Sequence, residues 1–111
     1  MPRLHGFTKK RLLDVYHLMA QSRKLDEKML ILLRQGKSFF HIGGSGHEAA
    51  QLAAAEVMRP AEDWAYPYYR DLALCLGLGM TGREQFLSSL ARDEDPNSGG
   101  RQMPAHYCKK D

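Results

Sequence analysis

Residues 8–35, TKKRLLDVYHLMAQSRKLDEKMLILLRQ, contain neither glycine nor proline. Apolar side chains recur through them at Leu12, Val15, Tyr16 and Met19, then at Leu25, Met29, Leu32 and Leu33. Steps of three and four residues put such a stripe on one side of an α-helix. Thr8 is the residue type that accepts hydrogen bonds from the first free amides, and Gly36 the type that ends a helix in the left-handed conformation. The polar stretch Gln21-Ser22-Arg23-Lys24 shifts the stripe, which predicts a bend there or a break into two helices.

Working outward, residues 37–46 (KSFFHIGGSG) read as a glycine-rich turn, and Ser45 with Glu48 fits the S-x-x-E capping box that opens a second helix. His47 to Met58 carries Ala49, Ala50, Ala53, Ala54 and Ala55, which favour helix and allow close packing on a neighbour. Arg59-Pro60 stops it. The aromatic cluster Trp64, Tyr66, Tyr68, Tyr69 includes Pro67, which argues against a regular internal strand. Arg70 to Leu78 reads as an apolar helix closing at Gly79, and Thr81 with Glu84 forms a second capping box for a helix reaching about Arg92. Residues 93–111, DEDPNSGGRQMPAHYCKKD, have no period and read as one long loop of the kind that is functional or disordered. The expected fold of residues 1–111 is therefore all-α, three to four helices followed by a long C-terminal loop.

Composition agrees with one small soluble domain: 111 residues, 43% hydrophobic and 26% charged. That balance excludes disordered, collagenous and coiled-coil classes. No apolar run approaches the roughly 18 residues of a membrane span, and the start Met1-Pro2-Arg3-Leu4-His5-Gly6-Phe7 lacks the apolar block of a secretory signal, so an intracellular setting is expected. Cys75 and Cys108 form no CxxC pair and no disulfide framework. Residues 1–37 hold nine Lys/Arg against three Asp/Glu, and residues 38–111 seven against ten. The cations are interleaved with apolar residues at helical spacing, which describes a solvated helix face more than a nucleic-acid surface.

Four constellations bear on chemistry. His47-Glu48-Ala49-Ala50-Gln51 is one letter from the zinc motif H-E-x-x-H, but Gln51 replaces the second imidazole, so no chelate forms and His47 reads as a helix-start residue. Gly43-Gly44-Ser45-Gly46 before a helix is either a phosphate cradle or a turn where only glycine admits two close helices. It lacks the Lys-Ser/Thr of a P-loop. Tyr69-Arg70, behind Pro67, offers a phenol and a planar fork of donors suited to phosphate, although Arg70 could equally pair with Glu62, Asp63 or Asp71. The loop Gly99-Gly100-Arg101-Gln102-Met103-Pro104-Ala105-His106 sets a fixed cation and a titratable imidazole in a segment suited to substrate or cofactor.

In order, SRKLDEKMLILLRQGK, GHEAAQLAAAEVMRP, DWAYPYYRD and GGRQMPAH resemble the N-terminal part of the alpha subunit of thiamine-diphosphate-dependent 2-oxo acid dehydrogenases. The loop wording leans to the branched-chain type over the pyruvate type. The resemblance covers nearly the whole chain. It implies an α/β cofactor-binding fold of which this chain is a helical fragment, and oxidative decarboxylation of a 2-oxo acid with acyl transfer to a lipoyl group. Its implied partners are a beta subunit and a lipoyl acyltransferase, in the bacterial cytoplasm or the mitochondrial matrix. By resemblance, Tyr69 and Arg70 bind the cofactor diphosphate, and Arg101 and His106 belong to a loop near substrate or cofactor. Glu48 stays structural, and His41 takes no active-site role, because counting back from Gly46 puts Ile42 at that place. The family's magnesium motif, Gly-Asp-Gly and then Asn-Asn, has no counterpart here, so the chain is expected to be inactive alone. A helical subunit-contact module without chemistry is the alternative, ahead of a basic nucleic-acid binder.

Overall fold

Four helices follow one another in the computed structural model, which describes residues 5–109: α1 Lys9–Arg34, α2 Glu48–Val57, α3 Leu72–Gly77 and α4 Gly82–Ser89. Met1 to Leu4 and the last two residues of the C-terminal loop lie outside the described residues. Among those described there is no strand, and no helix is long and apolar enough to cross a membrane.

α1 runs unbroken for 26 residues. The expected bend is absent because Ser22 is buried on the inner face of the helix rather than interrupting it. The Thr8 hydroxyl accepts from the Arg11 amide at 3.1 Å, and Gly36, at φ +68°, closes the other end. There the amides of Gly36 and Lys37 reach back to the carbonyls of Leu33 and Leu32, the paired bonds that satisfy a helix end. The apolar stripe is covered unevenly: Leu25 and Met29 are buried, Val15, Met19, Leu32 and Leu33 are half-buried, and Leu12 and Tyr16 are exposed.

α3 sits against both α1 and α2, and α4 against α1. Leu25, Leu72 and Leu76 form the centre of the core, with Leu18 and Phe86 packed on it. The apolar run of α3 is thus interior to this chain. The exposed apolar surface lies elsewhere, at Phe39, Val57, Trp64 and Tyr66. Of the five alanines of α2, only Ala55 is buried. The Thr81–Glu84 capping box at α4 forms as the sequence predicts.

The box expected at α2 does not form. His47 occupies the cap position without a side-chain bond. Glu48 turns away to take the Gly46 amide at 2.8 Å and the Arg23 guanidinium of α1 at 2.6 and 3.1 Å. Its carboxylate is buried, and Arg23 is half-exposed. Arg11 and Glu56 make a second α1–α2 pair near the other end. Hydrogen bonding from Arg23, against the opposing effect of desolvation and with help from the helix-start amides, pulls Glu48 from 4.5 down to about 2. A depressed carboxyl pKa stabilises the fold above the unfolded value and loses that contribution as pH falls through the folded one. Wild type should therefore exceed Glu48→Gln by about 2 kcal/mol near neutral pH, allowing for the solvent screening of Arg23. Urea unfolding should show that gap closing as the pH drops from about 5 towards 2; a pH-independent gap would contradict the pairing.

Candidate functional site

Pro67 fixes the entry to a corner, residues 67–71, that leads into α3, and α2 holds the corner in place. The Gln51 side-chain amide donates to the Arg70 carbonyl at 2.7 Å and to Asp71 Oδ1 at 3.3 Å. Its oxygen accepts from the Ala73 and Leu74 amides at 3.1 and 3.3 Å, capping α3 from outside. The position where a metalloprotease would carry histidine is thus a clamp on Arg70 and on the next helix. Nothing in its sequence spacing pointed to that role, because both partners are more than 18 residues away.

The glycine turn comes up beneath the same corner. A Cβ on Gly44 would lie 2.5 Å from the Arg70 carbonyl oxygen, so no other residue fits there without moving backbone. This is the close-approach meaning of the glycines. The anion place at the start of α2 is already filled by the Glu48 carboxylate. Asp26 steadies the turn from α1: its Oδ1 bonds His41 Nε2 at 2.8 Å and the Gly44 amide at 3.2 Å.

A cavity of about 510 Å³ opens beside the corner, lined by Ile42, His47, Tyr68, Tyr69, Arg70 and Asp71. Ile42 rather than His41 faces it. Arg70 Nη1 donates to the Gly43 carbonyl at 2.5 Å, and among the described residues no carboxylate pairs with this guanidinium. Glu62 and Asp63 both bind Arg59 instead. Asp71 is occupied by the Tyr68 amide at 2.7 Å and by Gln51. The fork on the cavity wall therefore keeps donors for an outside anion.

Tyr69 lines the same cavity, but its hydroxyl faces His106 Nε2 at 3.4 Å, with the rings edge to face at 5.1 Å. His106 Nδ1 bonds the Met103 carbonyl at 2.8 Å. A carbonyl only accepts, so Nδ1 carries the hydrogen, and in the neutral ring Nε2 accepts from the phenol. The neighbouring Tyr68 phenol, then desolvation, pushes Tyr69 upward from the ordinary phenol range. Arg101 is not brought to the cavity; its side chain is exposed on the C-terminal loop.

That loop is ordered by a residue sequence reasoning did not single out. Asp95 is buried and accepts five hydrogen bonds, from the amides of Asn97, Ser98 and Gly100 and from the side chains of Asn97 and Ser98. The Asp-Pro-Asn-Ser-Gly string is the available signal, since Asp folds its side chain onto amides two and three residues on.

A second cavity, of about 550 Å³, lies near Trp64, Tyr66, Cys75, Met80 and Tyr107. The Lys109 ammonium on its wall is held by Glu84. Cys75 and Cys108 are both free thiols, and burial raises Cys75 far above its ordinary value. Among the described residues no group of three or more His, Cys, Asp or Glu side chains is placed to hold a metal ion.

Among the described residues, then, an all-helical scaffold places the Arg70 guanidinium, without a carboxylate partner, and the Tyr69 ring on one cavity wall. Residues 16–111 match the family described as dehydrogenase E1 component, and the chain belongs to that family. It is 45% identical over 105 residues to the 2-oxoisovalerate dehydrogenase subunit alpha of Bacillus subtilis (strain 168), covering 95% of this chain and 32% of that protein. It is 30% identical over 106 residues to the mitochondrial 2-oxoisovalerate dehydrogenase subunit alpha of Caenorhabditis elegans, covering 96% of this chain and 24% of that one. The pyruvate dehydrogenase E1 component subunit alpha of Staphylococcus aureus (strain Mu50) is 34% identical over 82 residues, 74% of this chain and 22% of its own length. The chain thus spans a third or less of the curated relatives it matches.

Proposed function

We propose that this chain supplies the Tyr69–Arg70 part of a diphosphate site in a thiamine-diphosphate-dependent 2-oxo acid dehydrogenase, of the type acting on branched-chain 2-oxo acids. The observation that carries the reading is the Arg70 guanidinium on a cavity wall, free of any carboxylate among the described residues and positioned by Gln51 and Gly44. A diphosphate tail fits such a wall: it is a compact polyanion, and a planar fork of donors is the side chain that binds it with direction as well as charge. When bound, the cofactor supplies the electron sink for decarboxylation of the 2-oxo acid.

The chain's own residues do narrower work. Arg70 binds the anion. The Tyr69 phenol is oriented by the His106 imidazole behind the cavity wall, with the hydrogen on His106 held at Nδ1 by Met103. Asp71, which would repel the anion, is turned onto the Tyr68 amide and Gln51. The branched-chain assignment draws on the 2-oxoisovalerate names of the Bacillus and Caenorhabditis relatives. Those names, as alpha subunits, also support a beta subunit as partner, and a lipoyl acyltransferase follows from the proposed reaction.

A nucleic-acid role is disfavoured because much of the positive charge of α1 is engaged: Lys10 with Asp14, Arg11 with Glu56, Arg23 with Glu48 and Lys24 with Glu27. The exposed Phe39, Val57, Trp64 and Tyr66 favour a subunit-contact role alongside the site. Calorimetric titration of the 111-residue chain with thiamine diphosphate, and competition by inorganic pyrophosphate, tests the reading. Saturable binding that pyrophosphate displaces and thiamine does not is the expected result. Absence of any pyrophosphate competition would reject the diphosphate site and leave the contact module.

A further inference from the structure

We propose that Asp95, acting through Asn97, is the positioning residue that holds the His106 imidazole against Tyr69. The inference rests on the site described above for its functional meaning, but its structural content stands on a chain of hydrogen bonds. Asn97 Nδ2 donates to Asp95 Oδ1 at 2.9 Å, which fixes the orientation of the side-chain amide. Its Oδ1 is thereby turned to accept from the Cys108 amide at 2.9 Å, two residues beyond His106. The start of the loop is thus strapped to its end across eleven residues.

Ser98 makes the second tie. Its hydroxyl donates to Asp95 Oδ2 at 3.0 Å and accepts from the amides of Arg101 and Gln102 at 3.2 and 3.0 Å. This fixes the turn just before Met103, whose carbonyl sets the His106 tautomer. Both neighbours of the imidazole in sequence, the 101–103 turn and the 108 amide, therefore trace back to one carboxylate.

Asp95 is 6% exposed, and among the described residues it has no cationic partner. A buried carboxylate without a counter-ion is costly unless neutral donors saturate it. Burial acts to raise Asp95, yet the loop's amides and side-chain donors outweigh it and leave the group below the ordinary carboxylate range. The carboxylate is thus matched to the loop in a way a neutral side chain is not, since an amide there would point donors at donors.

The test compares wild type, Asp95→Asn and Asn97→Ala in the full chain by hydrogen exchange and by nitrogen NMR of the histidine rings. In Asn97→Ala the Cys108 amide should exchange about tenfold faster, the loss of one hydrogen bond at roughly 1.4 kcal/mol per decade, while Arg101 and Gln102 keep their protection. In Asp95→Asn all three should lose it. In both variants the His106 ring should drift from the Nδ1-H tautomer towards a solvent-like mixture, with the amides of α1 unchanged. A His106 tautomer unmoved in both variants would overturn the proposal. So would loss of protection that spreads equally through α1, which a general fold defect produces. Pyrophosphate titration of the same wild-type sample separates the two readings: failure to bind rejects the diphosphate site and leaves the His106 result to decide the positioning role.

Discussion

Leu52→Ala is expected to lower the stability of the chain by about 3 kcal/mol, the middle of the range for emptying a fully enclosed leucine site. Leu52 is 0% exposed and is the largest side chain so enclosed. It sits where α2 meets α3, and the two helices approach so closely there that a Cβ on Gly77 would fall 3.0 Å from Leu52 Cδ2 and 2.5 Å from the Ala55 Cβ. The cavity left by alanine cannot collapse by sliding the helices together, because the Gly77–Ala55 contact already sets their separation. Gly77→Ala attacks the same seam by overpacking, at about 1–3 kcal/mol. The double variant should cost less than the sum, since removing the Leu52 branch relieves one of the two contacts. A domain of this size has roughly 5–15 kcal/mol in total, so the leucine change alone should lower the melting midpoint by on the order of 15 °C. Thermal unfolding followed by circular dichroism measures it; a shift under about 4 °C would mean that the α2–α3 seam is not the centre of the fold.

The helices were legible because their signals are local. The apolar spacing of α1, its Thr8 and Gly36 ends and the Thr81–Glu84 box each lie within a few residues of the bonds they predict. Errors arise where a long-range partner overrides a local motif. Ser45-x-x-Glu48 has the spacing of a cap, but Arg23, twenty-five residues earlier, takes the carboxylate. Gln21 to Lys24 looks like a break, but burying Ser22 and engaging Arg23 make it part of the α1–α2 contact. The alanines of α2 suggest a packed face, yet four of them are exposed and one glycine on α3 determines the approach.

Tyr69 and Arg70, paired in the sequence by chemistry and resemblance, lie on one cavity wall, and their binding role belongs to the proposal. What was not readable is that the phenol turns to His106 rather than standing beside the guanidinium. Gln51 was invisible for the same reason, since its bonds go to residues about twenty positions along the chain, whereas Asp95 left a local signal in its Asp-Pro-Asn-Ser-Gly string. Arg101, grouped with His106 by adjacency in the loop, is exposed and does not line the cavity, while its amide is held by the Ser98 hydroxyl.

Arg70→Gln is expected to weaken binding of thiamine diphosphate or inorganic pyrophosphate by roughly 30-fold, about 2 kcal/mol, the contribution of a hydrogen bond to a charged group. Glutamine retains a donor for the Gly43 carbonyl but removes the charge and the second prong of the fork. Arg70→Lys restores charge without the fork and should recover part of the loss, leaving about a tenfold deficit if bidentate geometry matters as much as charge. Stability should hardly change in either variant, because the residue is exposed and, among the described residues, its side chain bonds only Gly43. Tyr69→Phe provides the contrast. Its hydroxyl is directed at His106, so affinity should fall by no more than about threefold while the His106 ring loses its acceptor contact. Titration calorimetry across the four proteins orders the contributions. Should phenylalanine cost more than glutamine, the phenol and not the guanidinium would be the anchor of the anion, and the cavity would have to be rebuilt around the Tyr69–His106 pair.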